Sequence, residues 1–432
     1  MVKAIIMAGG KGTRIVNEFM DIPKPMISIN GKPILEHQLL QLKKYGYENV
    51  IIVVGYLGNQ IIDYFKDGSL WGMQIEYFIE KEPLGTAGSL PLLRDKLSDD
   101  FFVINGDLLF DIDLNQFYRF HILGNNIITI LTHPNNHPYD SATVITNEEG
   151  IVIDWLRKDE GKTWKKNQIN AGIHLLSIEV LDCIDKKGFL DLDRDVLRGF
   201  VGNDRFLAYH TIEYIADLGT PERLKNAIND YQSKIPEKRN KNYKKCAVFL
   251  DRDGVINKEK GLIRDINKFE LLEHVSEAIR IINESGYLAI VITNQPVIAR
   301  GELTIEGLKE IHNKMETLIG QEMAYIDDIF FCPHHPHKGY DGEILEYKIE
   351  CNCRKPKPGM IFAAAEKYNI DLAKSWIVGN SLTDIEAGIN AGCNVSLINN
   401  TPHEHHSIMK TYNNLLQFCN ENIKRYKMTP IQ

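Results

Sequence analysis

Nothing in the 432 residues approaches the run of about 20 apolar residues that a bilayer-spanning helix needs. The N-terminal MVKAIIMAGGKGTR runs from an apolar strand into glycines and lacks the small-residue cleavage site of a secretory leader. No internal repeat and no low-complexity tract is present. Excess positive charge is also missing: 50 Lys and Arg against 58 Asp and Glu leave a net charge of −8. That balance argues against a general nucleic-acid surface, although a local basic patch is compatible with it. Only seven cysteines occur, scattered except for Cys332, Cys351 and Cys353. In a reducing compartment such a cluster points to metal rather than to a disulfide. The expectation is a cytoplasmic protein with neither a membrane segment nor a nucleic-acid partner.

What is present is ordinary globular composition, 44% hydrophobic and 25% charged, on a chain long enough for two or three domains. KAIIMAG (3–9), NVIIVVG (49–55), QIEYFI (74–79) and FFVINGD (101–107) read as strands. ILEHQLLQLKKYG, between the first two, has helical apolar spacing and a glycine stop. Buried strands alternating with helices predict a mainly parallel sheet covered on both faces. SKIPEKRNKNYKK (233–245) reads as a solvated linker. The pattern then restarts at KCAVFLD and continues through YLAIVITN, DDIFFCP, SWIVGN and NVSLINN, with helices between. The last stretch, about 30 residues, reads as helical and peripheral. The expected fold class is α/β, with two doubly wound Rossmann-like domains at 1–232 and 245–432 joined by a linker at 233–244.

Candidate chemistry in the front half starts at MAGGKGTR (7–14), a glycine-rich loop directly after the first strand. Such a loop lets backbone N–H groups approach phosphates, with Lys11 and Arg14 adding charge; a tight turn is the plain alternative. DIPKPMI (21–27) holds Lys24 between turn residues, and EPLGTAGS (82–89) is a second glycine loop. VINGDLLFDID (103–113) ends a strand in Asp107, and EYIADLGTPERL (213–224) offers Asp217 before a helix. Together these stretches resemble the sugar-nucleotide pyrophosphorylases, over roughly 1–230. The resemblance implies that Gly9, Gly10, Lys11, Gly12, Thr13 and Arg14 bind the triphosphate, with Lys24 also on phosphate and Gly85 beside base or sugar. It implies Mg²⁺ on Asp107 and Asp217, and a sugar at Asn170, Ala171 and Gly172 within INAGIHLL (169–176). Lys158 matches the lysine of a Glu-Lys pair in that family, but Arg157 stands where the glutamate is usual.

In the rear half, FLDRDGVIN (249–257) carries Asp251 and Asp253 at the end of a strand. Two residues apart, both side chains leave on one face and can address one phosphorus; an Asp-rich turn is the alternative. The stretch resembles the first motif of the haloacid dehalogenase phosphatases. That resemblance implies Asp251 as nucleophile, Asp253 as acid and base, Thr293 on phosphate, Lys355 neutralising both, and Mg²⁺ held by Asp251, Asp253 and Asn380. Asn380 replaces an expected aspartate in VGNSLTDIEAG (378–388), while Asp384 remains. The span 332–356 supplies Cys332, His334, Cys351 and Cys353, a Cys₃His set suited to tetrahedral zinc, with His335 and His337 as competing ligands. The arrangement resembles the heptose 1,7-bisphosphate phosphatases across about 245–400, where TNQPVIARG (293–301) places Asn294 and Arg300, with Arg354, near the phosphates. Histidinol-phosphate phosphatases share much of the framework.

A phosphatase freeing one phosphate of a bisphosphate and a transferase activating the other are consecutive steps. The expected protein is a bifunctional enzyme of nucleotide-heptose synthesis using an NTP, GTP first, and sugar phosphates, with structural Zn²⁺ and Mg²⁺ in both domains. The alternative is mannose 1-phosphate guanylylation joined to a phosphatase for another sugar phosphate, or to a weak regulatory phosphatase-like module. Self-association is left open.

Overall fold

The computed structural model describes residues 2–10, 21–138, 142–156, 164–184, 188–398 and 410–423. The chain forms two compact units. One comprises Met1–His133, Ala142–Arg157 and Gln168–Asn240; the other comprises Pro134–Ser141, Lys158–Asn167 and Lys241–Gln432.

The first unit contains strands β1 (Lys3–Ala8), β2 (Ser28–Ile29), β3 (Lys32–Pro33), β4 (Asn49–Val54), β5 (Gln74–Ile79), β6 (Phe101–Asn105) and β7 (Leu108–Asp111). It continues with β8 (Ile128–His133), β9 (Thr143–Thr146), β10 (Val152–Leu156), β11 (Ile169–Leu176), β12 (Phe206–His210) and β13 (Tyr214–Asp217). The main sheet runs β10-β9-β11-β6-β1-β4-β5, with β8 on β11 and β12 on β8. Its β6-β1-β4-β5 half is parallel, and those strands are the unbroken apolar runs read from the sequence. The other half is largely antiparallel: β11 opposes both β6 and β8. The expected mainly parallel sheet is therefore a mixed one. Antiparallel neighbours need no helical crossover, so strand-helix alternation fades there in the sequence as well. Helix Ile34–Lys44 buries Ile34, Leu35, Gln38, Leu39 and Leu42, one stripe at helical spacing.

Residues 233–240, read as part of a solvated linker, are packed into this unit. Helix Ile235–Arg239 buries Ile235, Pro236 and Arg239. The Arg239 guanidinium donates to the Ile212 carbonyl at 3.2 Å, and Asn240 Nδ2 donates to Asp111 at 2.6 Å. The charge of the stretch hid its one apolar face, Ile235 against Leu224 and Tyr214.

The second unit is built on β14 (Ala247–Leu250), β15 (Leu288–Asn294), β16 (Asp328–Cys332), β17 (Trp376–Gly379), β18 (Asn394–Ile398) and β19 (Lys410–Tyr412). All six are parallel, in the order β16-β15-β14-β17-β18-β19. The chain runs outward from β14 in both directions, so β14 and β17 flank a switch point, where the carboxyl ends of a parallel sheet open a crevice. This unit also takes in two short stretches that the sequence assigns to the front domain. Among them, the Lys165 N–H donates to Thr317 Oγ1 at 2.9 Å, and Lys314 lies over the Trp164 ring.

Within the C-terminal segment, residues 410–423 are not peripheral. β19 adds an edge strand, and helix Leu415–Asn422 buries Leu415, Phe418 and Cys419 in the core. Phe418 packs edge-on against Trp376 and Tyr412. We expect Phe418→Ala to destabilise this unit by about 3–5 kcal/mol, the usual result of removing a buried aromatic ring. Denaturant unfolding checks it, and a loss below about 1 kcal/mol would return the segment to the surface.

Candidate active sites and metal centre

In the first unit, the β7–β13 ribbon opposes Asp217 to Leu108, and the Leu218 N–H donates to the Asp107 carbonyl at 3.2 Å. Two aspartates far apart in sequence are thereby set beside each other. Lys24 Nζ lies 2.6 Å from Asp107 Oδ2, and Arg223 Nη1 lies 3.0 Å from Asp217 Oδ2. The second oxygen of Asp217 is buried with no hydrogen-bond partner. An orphan carboxylate oxygen next to a second carboxylate suits a hard cation such as Mg²⁺. Gly9 and Gly10 follow β1 as expected; Lys11, Gly12, Thr13, Arg14 and Lys158 lie outside the described residues. Glu80, which the sequence reading passed over, rests its carboxylate against Gly9, and burial raises its pKa.

The Leu84–Thr86 loop, which contains Gly85, is laced to a second loop. Leu190 N donates to Leu84 O at 2.9 Å, Ala87 N to Leu190 O at 2.9 Å, and Leu192 N to Thr86 Oγ1 at 2.7 Å. On β11 a bulge separates Asn170 from His174, and Gly172 takes a φ of +74° that its lack of a Cβ permits. The bulge turns Asn170 and His174 toward each other. Asn170 Nδ2 is 3.1 Å from both oxygens of Asp193, and the Gly172 N–H, which can only donate, reaches Oδ1 and fixes the amide's orientation. Asn170 Oδ1 then accepts from Gly172 N at 3.2 Å and from His174 Nε2 at 3.1 Å, so His174 carries its proton on Nε2. Burial lowers the His174 pKa to about 4.

In the second unit every expected residue stands at the carboxyl edge of the sheet. Asp251 follows β14, Thr293 and Asn294 end β15, Asn380 follows β17, and Lys355 comes from the loop after β16. Lys355, only 4% exposed, bridges two carboxylates: its Nζ is 2.8 Å from Asp251 Oδ1 and 2.6 Å from Asp384 Oδ1. Burial pulls the ammonium's pKa down, but Asp251 and Asp384 outweigh it and leave it raised. For Asp251, burial pushes the pKa up and Lys355 opposes it. Asp384 uses its other oxygen to cap its own helix, accepting from Ser381 N at 3.1 Å and Ser381 Oγ at 2.6 Å. Gly254, at φ +81°, faces the Asn380 side chain so closely that any Cβ there would collide with it. Asp251, Asp253 and Asn380 offer the oxygen donors a magnesium ion prefers.

Asp253 is held by neighbours the sequence did not single out. The fully buried Arg252 places Nη2 2.9 Å from both of its oxygens, Asn257 donates at 3.0 Å, and Gln295 donates at 3.0 Å. Gln295 also donates to Thr293 Oγ1 at 2.9 Å, leaving the threonine's own hydrogen free to donate. Asn294, expected on phosphate, has another engagement: it accepts from Lys355 N at 3.0 Å and donates to Lys355 O at 3.1 Å. Its amide aligns Lys355. Arg300 stacks over Tyr340 at 4.3 Å, and Arg354 donates to the His334 carbonyl at 3.2 Å. Lys348 lies over the same tyrosine at 4.6 Å. Burial first, then Arg354, Arg300 and Lys348, lower the His335 pKa.

Cys332, His334, Cys351 and Cys353 bring one donor atom each to within 4.8 Å of one another. The sulfurs stand 3.2–3.5 Å apart, and His334 Nδ1 is 3.2 Å from Cys353 Sγ. A disulfide needs about 2.05 Å, and all four positions are free thiols or imidazole. The spacing approaches the edge of about 3.8 Å that a tetrahedron of metal–sulfur bonds of about 2.3 Å would have. His335 and His337 instead face each other at 5.2 Å. Cys353 is two residues from Lys355, so closing this cluster also fixes the loop that delivers the ammonium.

Two outcomes are expected. Metal analysis of the purified chain gives one tightly held ion per chain, which Cys353→Ser loses; equal metal content in both would refute the centre. For His174, the unfolded chain takes a proton below pH 6.5 and the folded chain only below about 4. Stability is therefore full above 6.5 and falls as pH drops toward 4, by up to about 3 kcal/mol. Denaturant melts at pH 7 and 4.5 should show a smaller loss for His174→Gln than for wild type.

Comparison with known proteins agrees with this division. Residues 3–234 match the family model described as Nucleotidyl transferase, and residues 352–414 match the one described as HAD-hydrolase-like. A D-glycero-beta-D-manno-heptose-1,7-bisphosphate 7-phosphatase of Yersinia pestis is 37% identical over 152 residues, which is 35% of this chain and 79% of that protein. A D-glycero-alpha-D-manno-heptose-1,7-bisphosphate 7-phosphatase of Burkholderia mallei is 41% identical over 155 residues, covering 36% of this chain and 80% of that protein. Among solved structures, HddC from Yersinia pseudotuberculosis is 27% identical, covers 54% of this chain and 100% of its own, and has a TM-score of 0.47. The chain belongs to the nucleotidyl transferase family and, through its second unit, to the heptose-bisphosphate 7-phosphatases of the haloacid dehalogenase superfamily.

Proposed function

We propose that this bifunctional enzyme removes the C7 phosphate of D-glycero-D-manno-heptose 1,7-bisphosphate and transfers a nucleotidyl group to the heptose 1-phosphate that remains. One observation carries the reading: a 7-phosphatase and a transferase for sugar 1-phosphates share one chain, and the product of the first is a substrate of the second. Relatives acting on the alpha and on the beta bisphosphate match at similar identity, so the anomer stays open. GTP is the first choice of nucleotide on the overall resemblance.

In the phosphatase, an Asp251 oxygen attacks the C7 phosphorus, the phosphorus–O7 bond breaks, and Asp253 gives its proton to the leaving alkoxide. Water then attacks the aspartyl-phosphate, Asp253 takes its proton, and inorganic phosphate leaves. Lys355 opposes the rise that burial imposes on the Asp251 pKa and neutralises the incoming phosphate, while Thr293 donates its free hydrogen. Arg300 and Arg354 are the cations offered to the phosphate that stays on the sugar. In the transferase, an oxygen of the sugar phosphate attacks the α-phosphorus and pyrophosphate leaves; Lys24, with Arg14 by resemblance, holds the phosphates. Magnesium, on Asp107 and Asp217 and on Asp251, Asp253 and Asn380, would neutralise phosphate charge in both sites. Zinc suits the Cys₃His cluster as a structural ion, setting the Lys355 loop.

Phosphate release from heptose 1,7-bisphosphate should fall by more than about 1,000-fold in Asp251→Asn, which has no nucleophile. Asn380→Asp restores a negative metal ligand and should lower the Mg²⁺ concentration needed for half-maximal rate. No release by wild type, with release by Asn380→Asp, would leave the second unit a regulatory module. For the transferase, GTP, ATP, CTP and UTP are each offered with heptose 1-phosphate and mannose 1-phosphate. GTP with heptose 1-phosphate should give the highest kcat/KM; turnover with mannose 1-phosphate alone would break the link between the two units.

A further inference from the structure

The sugar side of the transferase site holds an acceptor that the sequence motifs do not name. We propose that Asp193 binds the sugar, its carboxylate accepting hydrogen bonds from hydroxyls of the sugar 1-phosphate. This rests on reading the first unit as a sugar 1-phosphate nucleotidyltransferase.

Asn170 has little left to offer a sugar. Its Oδ1 already accepts two hydrogen bonds, from Gly172 N and His174 Nε2, and an amide oxygen has two lone pairs. Its Nδ2 is directed at Asp193. The residue expected to receive sugar hydroxyls therefore has no acceptor left. Asp193 does: a carboxylate offers about four lone-pair sites, and the Asn170 amide engages only one edge of it. Its side chain is 42% exposed, so the remaining lone pairs are within reach of a ligand.

The carboxylate is also held in place. Asp191 Oδ1 accepts from Arg194 N at 2.9 Å, pinning the turn around Asp193. The bonds from Leu190 and Leu192 strap the same turn to the Leu84–Thr86 loop. Asp193 thus joins the Gly85 loop to the Asn170 strand, the two segments expected beside the sugar. A carboxylate there would repel the phosphate, so its attraction is for the hydroxyls; burial, then Asp191, raises its pKa to about 7, and the ionised form above that value gives the stronger hydrogen bonds.

The test is steady-state kinetics of the full chain, wild type against Asp193→Asn and Asp193→Ser, at saturating nucleotide. Substrates are heptose 1-phosphate, mannose 1-phosphate and singly deoxygenated mannose 1-phosphates. Losing a hydrogen bond to a charged acceptor should raise KM for the sugar phosphate about 10- to 100-fold, leaving KM for the nucleotide within about twofold. One deoxy analogue that wild type disfavours should be used by both variants as well as its parent. A purely structural Asp193 would leave the pattern of deoxy penalties unchanged, and that result overturns the assignment alone. Wild type that turns over no sugar 1-phosphate overturns the transferase reading and the assignment together.

Discussion

The second unit depends on one buried contact, the Lys355 ammonium between Asp251 and Asp384. Two carboxylates this close to each other could not both stay ionised in a low-dielectric pocket without a cation between them. Removing the lysine would leave uncompensated buried charge, a change that usually costs about 3–5 kcal/mol. Much of the surrounding structure keeps this ammonium in place. Asn294 clamps its backbone on both sides, the Ile292 carbonyl accepts from it at 2.9 Å, and the Cys₃His cluster ends two residues before it. Asp384 is itself held by the cap it makes with Ser381.

The first unit reaches an opposite solution with the same residue types. Lys24 and Arg223 each meet one aspartate at the edge of the site, where exposure is greater and the pairs can separate when a charged ligand arrives. The chemistry differs accordingly. A phosphatase that forms a bond to its own carboxylate needs that group ionised and fixed before substrate binds. A transferase whose two substrates react with each other needs cations and carboxylates that can be redistributed among phosphates.

The parts legible in the sequence were those set by local order. Unbroken apolar strands ending in Asp107, Asp251 or Thr293 announced parallel sheets with chemistry at their carboxyl edge. Cys332, His334, Cys351 and Cys353 announced a candidate metal site by ligand type. Hidden were roles that depend on which distant side chain an amide or carboxylate meets. Nothing local says that Asn294 aligns Lys355, that Asp384 shares its ammonium, or that Asn170 is saturated by Gly172, His174 and Asp193. The antiparallel half of the first sheet was missed because its strands are not separated by helices. Ile235 and Phe418 were missed because charged or polar neighbours masked a single buried face.

Two units that act in sequence on one sugar should complete a coupled reaction. The chain is supplied with heptose 1,7-bisphosphate, GTP and Mg²⁺, and nucleotide-sugar formation is followed by chromatography. Wild type should give GDP-heptose, and Asp251→Asn none unless heptose 1-phosphate is given in its place. Equal product from wild type and Asp251→Asn on the bisphosphate, or none from wild type on either substrate, would contradict it.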